Sequence, residues 1–228
     1  GVLLNGKSPY KSFLFTGHVV DEKGEKMSKS KGNVVYAKDI LSRYPADLVR
    51  LYLMWKASPI DTLNFDRKEM MERPYQILNT LNNLHIYYSI NAKYDNYSWS
   101  EGNRGKISEK ERWIVSELSE VAKSYMEFYE KRKTNEMIRL LDRFLIDEVS
   151  QKYVPVIRNE LWDDSPEMSE RRNGIYWTLG KLLRALDTML HPIAPYLTDN
   201  LFESLSTGHW WINTVLCGAS YHCPIARG

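Results

Sequence analysis

The chain has 228 residues, 43% hydrophobic and 26% charged, with a net charge of +2. That is apolar material for one large or two modest cores, and no apolar run reaches the ~18 residues of a membrane span. Residues 1–57 hold 10 Lys+Arg against 5 Asp+Glu, a balance of +5, while residues 58–228 hold the remaining 21 against 24, a balance of −3, so the larger part is not a uniformly basic nucleic-acid grip and can meet a polyanion only through local patches.

The chain opens on Gly1-Val2-Leu3-Leu4-Asn5-Gly6, without an initiator methionine, a basic leader or a long apolar run. It reads as a piece of a longer protein and not as one that begins with a signal peptide. Residues 12–20 are apolar, aromatic and β-branched, and predict a strand. Residues 21–32 are a loop. Asp39-Ile40-Leu41 starts a short helix that Pro45 interrupts. Residues 46–56 predict a helix with Leu48, Leu51, Tyr52 and Trp55 at helical spacing, ended by Ser58-Pro59.

From there helix follows helix. Asp66-Arg67-Lys68-Glu69 has the form of a capping box and predicts a helix to about residue 91, with Pro74 either in its first turn or kinking it. Residues 96–106 form a polar, glycine-bearing loop. Ser108-Glu109-Lys110-Glu111 is a second capping box, opening a helix with Ile114, Leu118, Val121, Tyr125 and Phe128 on one stripe. After a turn at 131–133, a third helix carries Ile138, Leu141, Leu145 and Val149 to about Trp162, with a bend at Pro155. Ser165-Pro166-Glu167 is a helix opening with cap, proline and early acid. The helix that follows aligns Ile175, Leu179, Leu182, Leu186 and Met189, and His191-Pro192 breaks it before a short helix over 195–205. Amphipathic helices joined by short loops predict an antiparallel bundle. Cys217 and Cys223, with His209 and His222, lie near the end. Their spacing is not that of a zinc knuckle, so neither a metal site nor a disulfide is read, and a reducing cytosol is the expected setting.

The chemistry concentrates in one loop. Lys26-Met27-Ser28-Lys29-Ser30 runs into Lys31-Gly32-Asn33. Ammonium groups, hydroxyls and backbone N–H groups on a glycine-bearing loop are what a polyphosphate needs. Around it stand Gly17-His18-Val19-Val20-Asp21-Glu22-Lys23-Gly24-Glu25, then Asn33-Val34-Val35, then Pro45-Ala46-Asp47-Leu48-Val49-Arg50-Leu51-Tyr52-Leu53. Together these resemble the end of the catalytic domain of class I aminoacyl-tRNA synthetases, in the subgroup for aliphatic amino acids and methionine. Pro45 stands where the family usually has glycine.

The resemblance covers about residues 1–205. It implies a small α/β remnant of a Rossmann-type catalytic domain over 1–64, a mainly α antiparallel bundle over 65–205 serving as the anticodon-binding domain, and a tail of unknown role over 206–228. It implies that the loop Lys26, Met27, Ser28, Lys29, Ser30, Gly32 and Asn33 closes on ATP, which arrives with Mg2+ as a substrate. Lys29 is then the principal catalytic residue and Lys26 its helper, and the loop is expected to be mobile without nucleotide. His18 is read as a strand-end residue. The family's His-x-Gly-His tetrapeptide is absent from all 228 residues, as is an insert long enough for editing. The chain alone is therefore not expected to activate an amino acid.

Asp147-Glu148-Val149-Ser150-Gln151-Lys152-Tyr153-Val154 and Ile157-Arg158-Asn159-Glu160-Leu161-Trp162 are similar to the isoleucyl branch, supported by Glu111-Arg112-Trp113-Ile114-Val115-Ser116 and Met189-Leu190-His191-Pro192-Ile193-Ala194-Pro195-Tyr196. The partners implied are isoleucine-accepting tRNA, ATP and isoleucine, with no membrane. A valyl or leucyl member and a non-catalytic tRNA-binding bundle stay open as alternatives. Arg139, Arg143, Lys152, Tyr153, Arg158 and Trp162 are the candidate RNA contacts, because arginine binds phosphate or stacks on unpaired bases beside aromatic rings.

Overall fold

The computed structural model describes residues 2–11, 13 and 15–207. Of the tail over 206–228, residues 208–228, with Cys217, Cys223, His209 and His222, lie outside them. The chain folds as a short α1 (Val2–Asn5), β1 (Val19–Val20), α2 (Ala37–Leu41), α3 (Ala46–Lys56) and β2 (Leu63–Asn64). The bundle follows: α4 (Arg67–Met70), α5 (Arg73–Tyr94), α6 (Glu109–Glu130), α7 (Thr134–Arg143), α8 (Val154–Leu161), α9 (Ser169–Leu190) and α10 (Pro195–Thr207). A mainly helical chain with a small sheet is what the sequence predicts.

The strand expected over 12–20 shrinks to two residues. Val19 and Val20 pair in parallel with Leu63 and Asn64, while Phe13 and Phe15 remain exposed. An apolar run becomes a strand only where a second strand accepts its hydrogen bonds. Gly17 sets the entry. Its N–H donates to Pro59 O at 2.8 Å, and a Cβ there would stand 1.8 Å from the Asp61 carbonyl oxygen. Only glycine permits that approach.

Pro45 fits its position. It caps α3 with φ −56°, close to the angle its ring imposes, so the departure from glycine needs no left-handed backbone. Asp66 does cap a helix, accepting from the Lys68 N–H at 2.8 Å, but that helix is α4, only four residues long. Glu69 does not close the box. It pairs with Lys56 and accepts from the Tyr52 hydroxyl at 3.3 Å. The long helix starts afresh at Arg73 with Pro74 in its first turn, where a missing N–H costs nothing.

The capping box at Ser108 is complete, with both reciprocal bonds present. Ile114, Leu118, Val121 and Tyr125 are buried along α6 as their spacing predicts. Ser165 makes no side-chain cap: a short 3-10 turn, Pro166–Met168, leads into α9 instead. Between α7 and α8 the third helix widens into a π-helical segment, Phe144–Tyr153. The Val154 N–H reaches back five residues to Val149 O. Pro155 has no N–H to offer Gln151, and the wide turns end against it.

One hydrophobic cluster joins both parts, running from Ile40, Leu48 and Leu51 through Ile77, Leu141 and Leu145 to Leu182 and Leu201. Helix α3 packs on α7, α5 and α10. The loop between α5 and α6 lies flat on α9: Trp99 donates to Trp177 O at 2.9 Å, and a Cβ on Gly180 would stand 2.4 Å from the Trp99 ring. Among the described residues no helix is long and apolar enough to cross a membrane.

Candidate functional site

The lysine-rich loop is built on one aspartate. Asp21 Oδ1 accepts from the backbone N–H groups of Lys23 at 3.1 Å and Glu25 at 2.7 Å. Its other oxygen accepts from the Asn33 amide at 2.8 Å. The Asn33 bond, and then the Glu25 N–H, hold the Asp21 carboxyl below the usual carboxylate range. Asn33 in turn accepts from the Ser28 N–H at 2.9 Å and donates to Lys26 O at 3.3 Å. One amide thus ties the start, middle and end of the loop together. The turns at Gly24 and Gly32 have φ +82° and +70°, a region glycine enters freely.

Within this frame the three lysines differ. Lys31 pairs with Glu25 at 3.3 Å. Lys26 and Lys29 are exposed, and neither has a carboxylate partner among the described residues. Ser28 and Ser30 share a hydroxyl contact at 3.2 Å, and the Ser28 hydroxyl also accepts from the Lys31 N–H at 3.3 Å. Met27 points the other way: it is partly buried and lines an apolar cavity of about 610 Å³ with Ile40, Leu53, Pro195 and Tyr196. The loop is anchored through Met27 and presents Lys26 and Lys29, two cations without a carboxylate partner among the described residues. His18 is exposed, and its carbonyl accepts from the Leu63 N–H at 2.8 Å.

The candidate RNA contacts do not form one cluster. Arg139 and Arg143 are exposed on α7, the helix packed on α3 and α6. Arg158 and Trp162 are exposed at the opposite end, where the Arg158 guanidinium stands 5.8 Å from the centroid of the Trp162 ring. Lys152 is paired with Glu148 at 2.7 Å, which raises its pKa. Tyr153 is a correction to the sequence reading. It is fully buried and donates to Glu111 Oε1 at 3.1 Å, so it belongs to the core and not to an RNA-facing surface.

That core polar group was missed in the sequence. Glu111, completing the Ser108 capping box, is fully buried and receives two bonds from Arg171 at 2.6 and 2.8 Å. Burial pushes its carboxyl up, yet Arg171 and Ser108 outweigh it and hold the group below its ordinary value. Also missed were Asp47 and Arg50, which fasten α3 to the corner before α10. Asp21 could have been suspected, since an aspartate two residues ahead of a turn often caps it. Among the described residues no cluster of three His, Cys, Asp or Glu could hold a metal.

Residues 1–66 match the family model described as tRNA synthetases class I (I, L, M and V). Residues 111–216 match that of the anticodon-binding domain of tRNA ligases. The chain belongs to the class I tRNA synthetases. Within that class, its curated relatives include the isoleucine–tRNA ligase of Pyrobaculum aerophilum, 32% identical over 89% of this chain and 21% of the relative. That of Methanothermobacter thermautotrophicus is 30% identical over 91% of this chain and 20% of the relative. The chain thus spans about a fifth of the length of these relatives.

Solved structures share the fold. Mycobacterium tuberculosis methionyl-tRNA synthetase with methionyl-adenylate superposes with a TM-score of 0.71 at 17% identity, over 82% of this chain and 37% of that one. Agrobacterium radiobacter K84 leucyl-tRNA synthetase, in a ternary complex with tRNA, gives 0.63 at 20% identity over 88% and 22%.

Proposed function

We propose that this chain is the ATP-closing loop and the tRNA-holding helical domain of an isoleucine–tRNA ligase. The observation that carries the proposal is the pair of ammonium groups, Lys26 and Lys29, exposed and without a carboxylate partner among the described residues, on a loop whose backbone is held by Asp21 and Asn33. In the reaction an isoleucine carboxylate oxygen attacks the α-phosphorus of ATP, the bond to the bridging oxygen breaks, and pyrophosphate leaves with its Mg2+. The aminoacyl group then passes from the adenylate to a ribose hydroxyl of tRNA: the new ester bond forms, the acyl–phosphate bond breaks, and AMP leaves. No covalent bond to the protein forms, so the protein's work is positioning and charge neutralisation.

Lys29 is the group assigned to the leaving phosphates, with Lys26 beside it. A point charge on a flexible stem follows developing negative charge. Lys31, occupied by Glu25, is left out of that role. Ser28, Ser30, Gly32 and Asn33 shape the loop. On this reading the chain alone does not activate isoleucine, because the His-x-Gly-His half of the site is not in it.

The bundle serves as a spacer. Helices α5, α6 and α9 have 22 residues each, about 33 Å at 1.5 Å per residue. One end meets α3 and the loop, and the other presents Arg158 stacked on Trp162. We assign unpaired anticodon bases to that far end and leave Arg139 and Arg143 to phosphates nearer the catalytic part. The expected compartment is the cytosol, where tRNA is charged. The test is aminoacylation by the full-length protein. Charging of isoleucine-accepting tRNA with isoleucine supports the reading. Preference for valine or leucine with their own tRNAs overturns the specificity, and no charging of any tRNA overturns the function.

A further inference from the structure

A cavity of about 280 Å³ lies between the first turns of α6 and the middle of α9. Its lining includes Arg104, Arg112, Ser116, Trp177 and Thr178. Trp177 is only 5% exposed, and its indole N–H is buried without a hydrogen-bond partner among the described residues. Buried donors in folded proteins are satisfied almost without exception, so this one calls for an acceptor. The Trp177 ring also carries two cations, the Arg104 guanidinium at 4.9 Å and the Lys181 ammonium at 4.8 Å from its centroid.

Among the described residues Arg104, Arg112 and Lys181 form no ion pair, and Arg104 and Arg112 are exposed at the rim. The one carboxylate in the lining, Glu111, is spent on Arg171 through two short bonds. Two guanidinium forks and a serine hydroxyl, with the buried Trp177 N–H in the wall beside them, are the donor set for a tetrahedral oxyanion.

The position says which oxyanion. Lys110, beside Arg112 in the first turn of α6, bridges to the Val156 carbonyl at 3.3 Å and pairs with Glu160 on α8. Glu160 stands two residues before Trp162, whose ring is exposed. The cavity therefore shares the far end of the bundle with the Arg158–Trp162 stack. We propose that the Arg104–Arg112–Trp177 cavity binds a backbone phosphate of an RNA strand whose bases stack on Trp162, a site that rests on the tRNA reading above.

The test uses the 228-residue chain labelled with 15N and a transcript of isoleucine-accepting tRNA. The Trp177 indole resonance is assigned from a Trp177→Phe variant. It should move on adding tRNA, and inorganic phosphate alone at the same phosphate concentration should not reproduce the movement. The surface variant Arg104→Gln/Arg112→Gln, which removes no buried group, should bind tRNA about five- to tenfold more weakly at low salt. It should also flatten log K against log salt by about 1–2, the slope of one or two lost phosphate contacts. Unchanged affinity and slope in the variant, with a still Trp177 resonance while tRNA binds, overturn this site and leave the tRNA reading standing. A resonance that follows inorganic phosphate as strongly as tRNA overturns the RNA assignment. No tRNA binding by the unmodified chain overturns both.

Discussion

Asp47 Oδ2 accepts the Leu197 N–H at 2.7 Å, joining the first turn of α3 to the first turn of α10 across 150 residues of chain. Three residues on, Arg50 donates to Ile193 O and Pro192 O, both at 2.8 Å. The run Pro45-Ala46-Asp47-Leu48-Val49-Arg50 is thus a clamp that closes on the corner between α9 and α10. Pro195 and Tyr196 of that corner line the same cavity as Met27. The lysine-rich loop, α3 and the bundle therefore share one set of contacts.

Burial pushes the Asp47 carboxyl above its ordinary value, and the Leu197 and Tyr196 N–H groups pull it back. An aspartate at a helix N-terminus is favoured by the orphan N–H groups there. Asp47→Ala leaves the Leu197 N–H buried and unmet, and should cost about 1–3 kcal/mol in urea unfolding. Asp47→Asn keeps an acceptor and should cost less. Equal, negligible losses would show that the clamp contributes nothing to stability.

Glu111 and Arg171 form a buried pair, and Arg171 keeps Glu160 as a second carboxylate partner. Glu111→Gln therefore does not strand the guanidinium, and should lower unfolding stability by about 1–3 kcal/mol at neutral pH, the scale of buried polar groups left imperfectly met. The folded carboxyl titrates below its unfolded value. Its stabilisation is therefore complete above the ordinary glutamate range near 4.3 and is lost as pH falls through the depressed folded value. The gap between native and Glu111→Gln stabilities should narrow on acidification. Asp187 runs the other way: burial, opposed by His85, raises its carboxyl, so its proton binds more tightly in the fold. Comparing the two proteins at each pH cancels that contribution.

Asn33 is a positioning residue. Its amide holds Asp21, Ser28 and Lys26 in one arrangement, while Asn33→Ala removes no lysine and only loosens the backbone that carries them. In the full-length protein we expect isoleucine-dependent pyrophosphate exchange to slow by about 10- to 10²-fold, the scale of a misplaced catalytic group. The unfolding midpoint should hardly move, since the loop is largely exposed. A large loss of stability with normal exchange would reverse the assignment.

Trp162 is 63% exposed, so Trp162→Ala should leave the fold intact. It should weaken tRNA binding by about 1–3 kcal/mol if one base stacks on it, and erase the preference for the matching anticodon over a swapped one. The salt dependence should not change, because stacking neutralises no phosphate. A shifted salt slope would point to phosphate contact instead.

Much of this was legible in the sequence because it is local. The capping box at Ser108 and the stripe Ile114, Leu118, Val121 and Tyr125 mark α6 within twenty residues, and the five-residue loop motif speaks for itself. Three things were not legible. The Asp21–Asn33 bond spans 12 residues with no periodicity to betray it. Tyr153 turns inward at the end of a π-helical segment, and a 3.6-residue period carries no facing information across backbone bonds that run five residues back. The proposed cavity gathers Arg104 from a loop, Arg112 from α6 and Trp177 from α9, residues far apart in sequence that meet only where the loop at Gly105 and Lys106 packs on Glu170 and Gly174 of α9.

The central claim is that Lys29, without a carboxylate partner among the described residues, supplies charge to the departing pyrophosphate. Isoleucine-dependent pyrophosphate exchange in the full-length protein tests it with two single substitutions. Lys29→Ala should slow exchange by about 10²–10³-fold, the scale of one lost transition-state charge contact, with a smaller change in apparent ATP affinity. Lys31→Ala, removing the lysine already paired with Glu25, should stay close to the unmodified rate. An unchanged rate in Lys29→Ala, or an equal loss in both, would contradict the account.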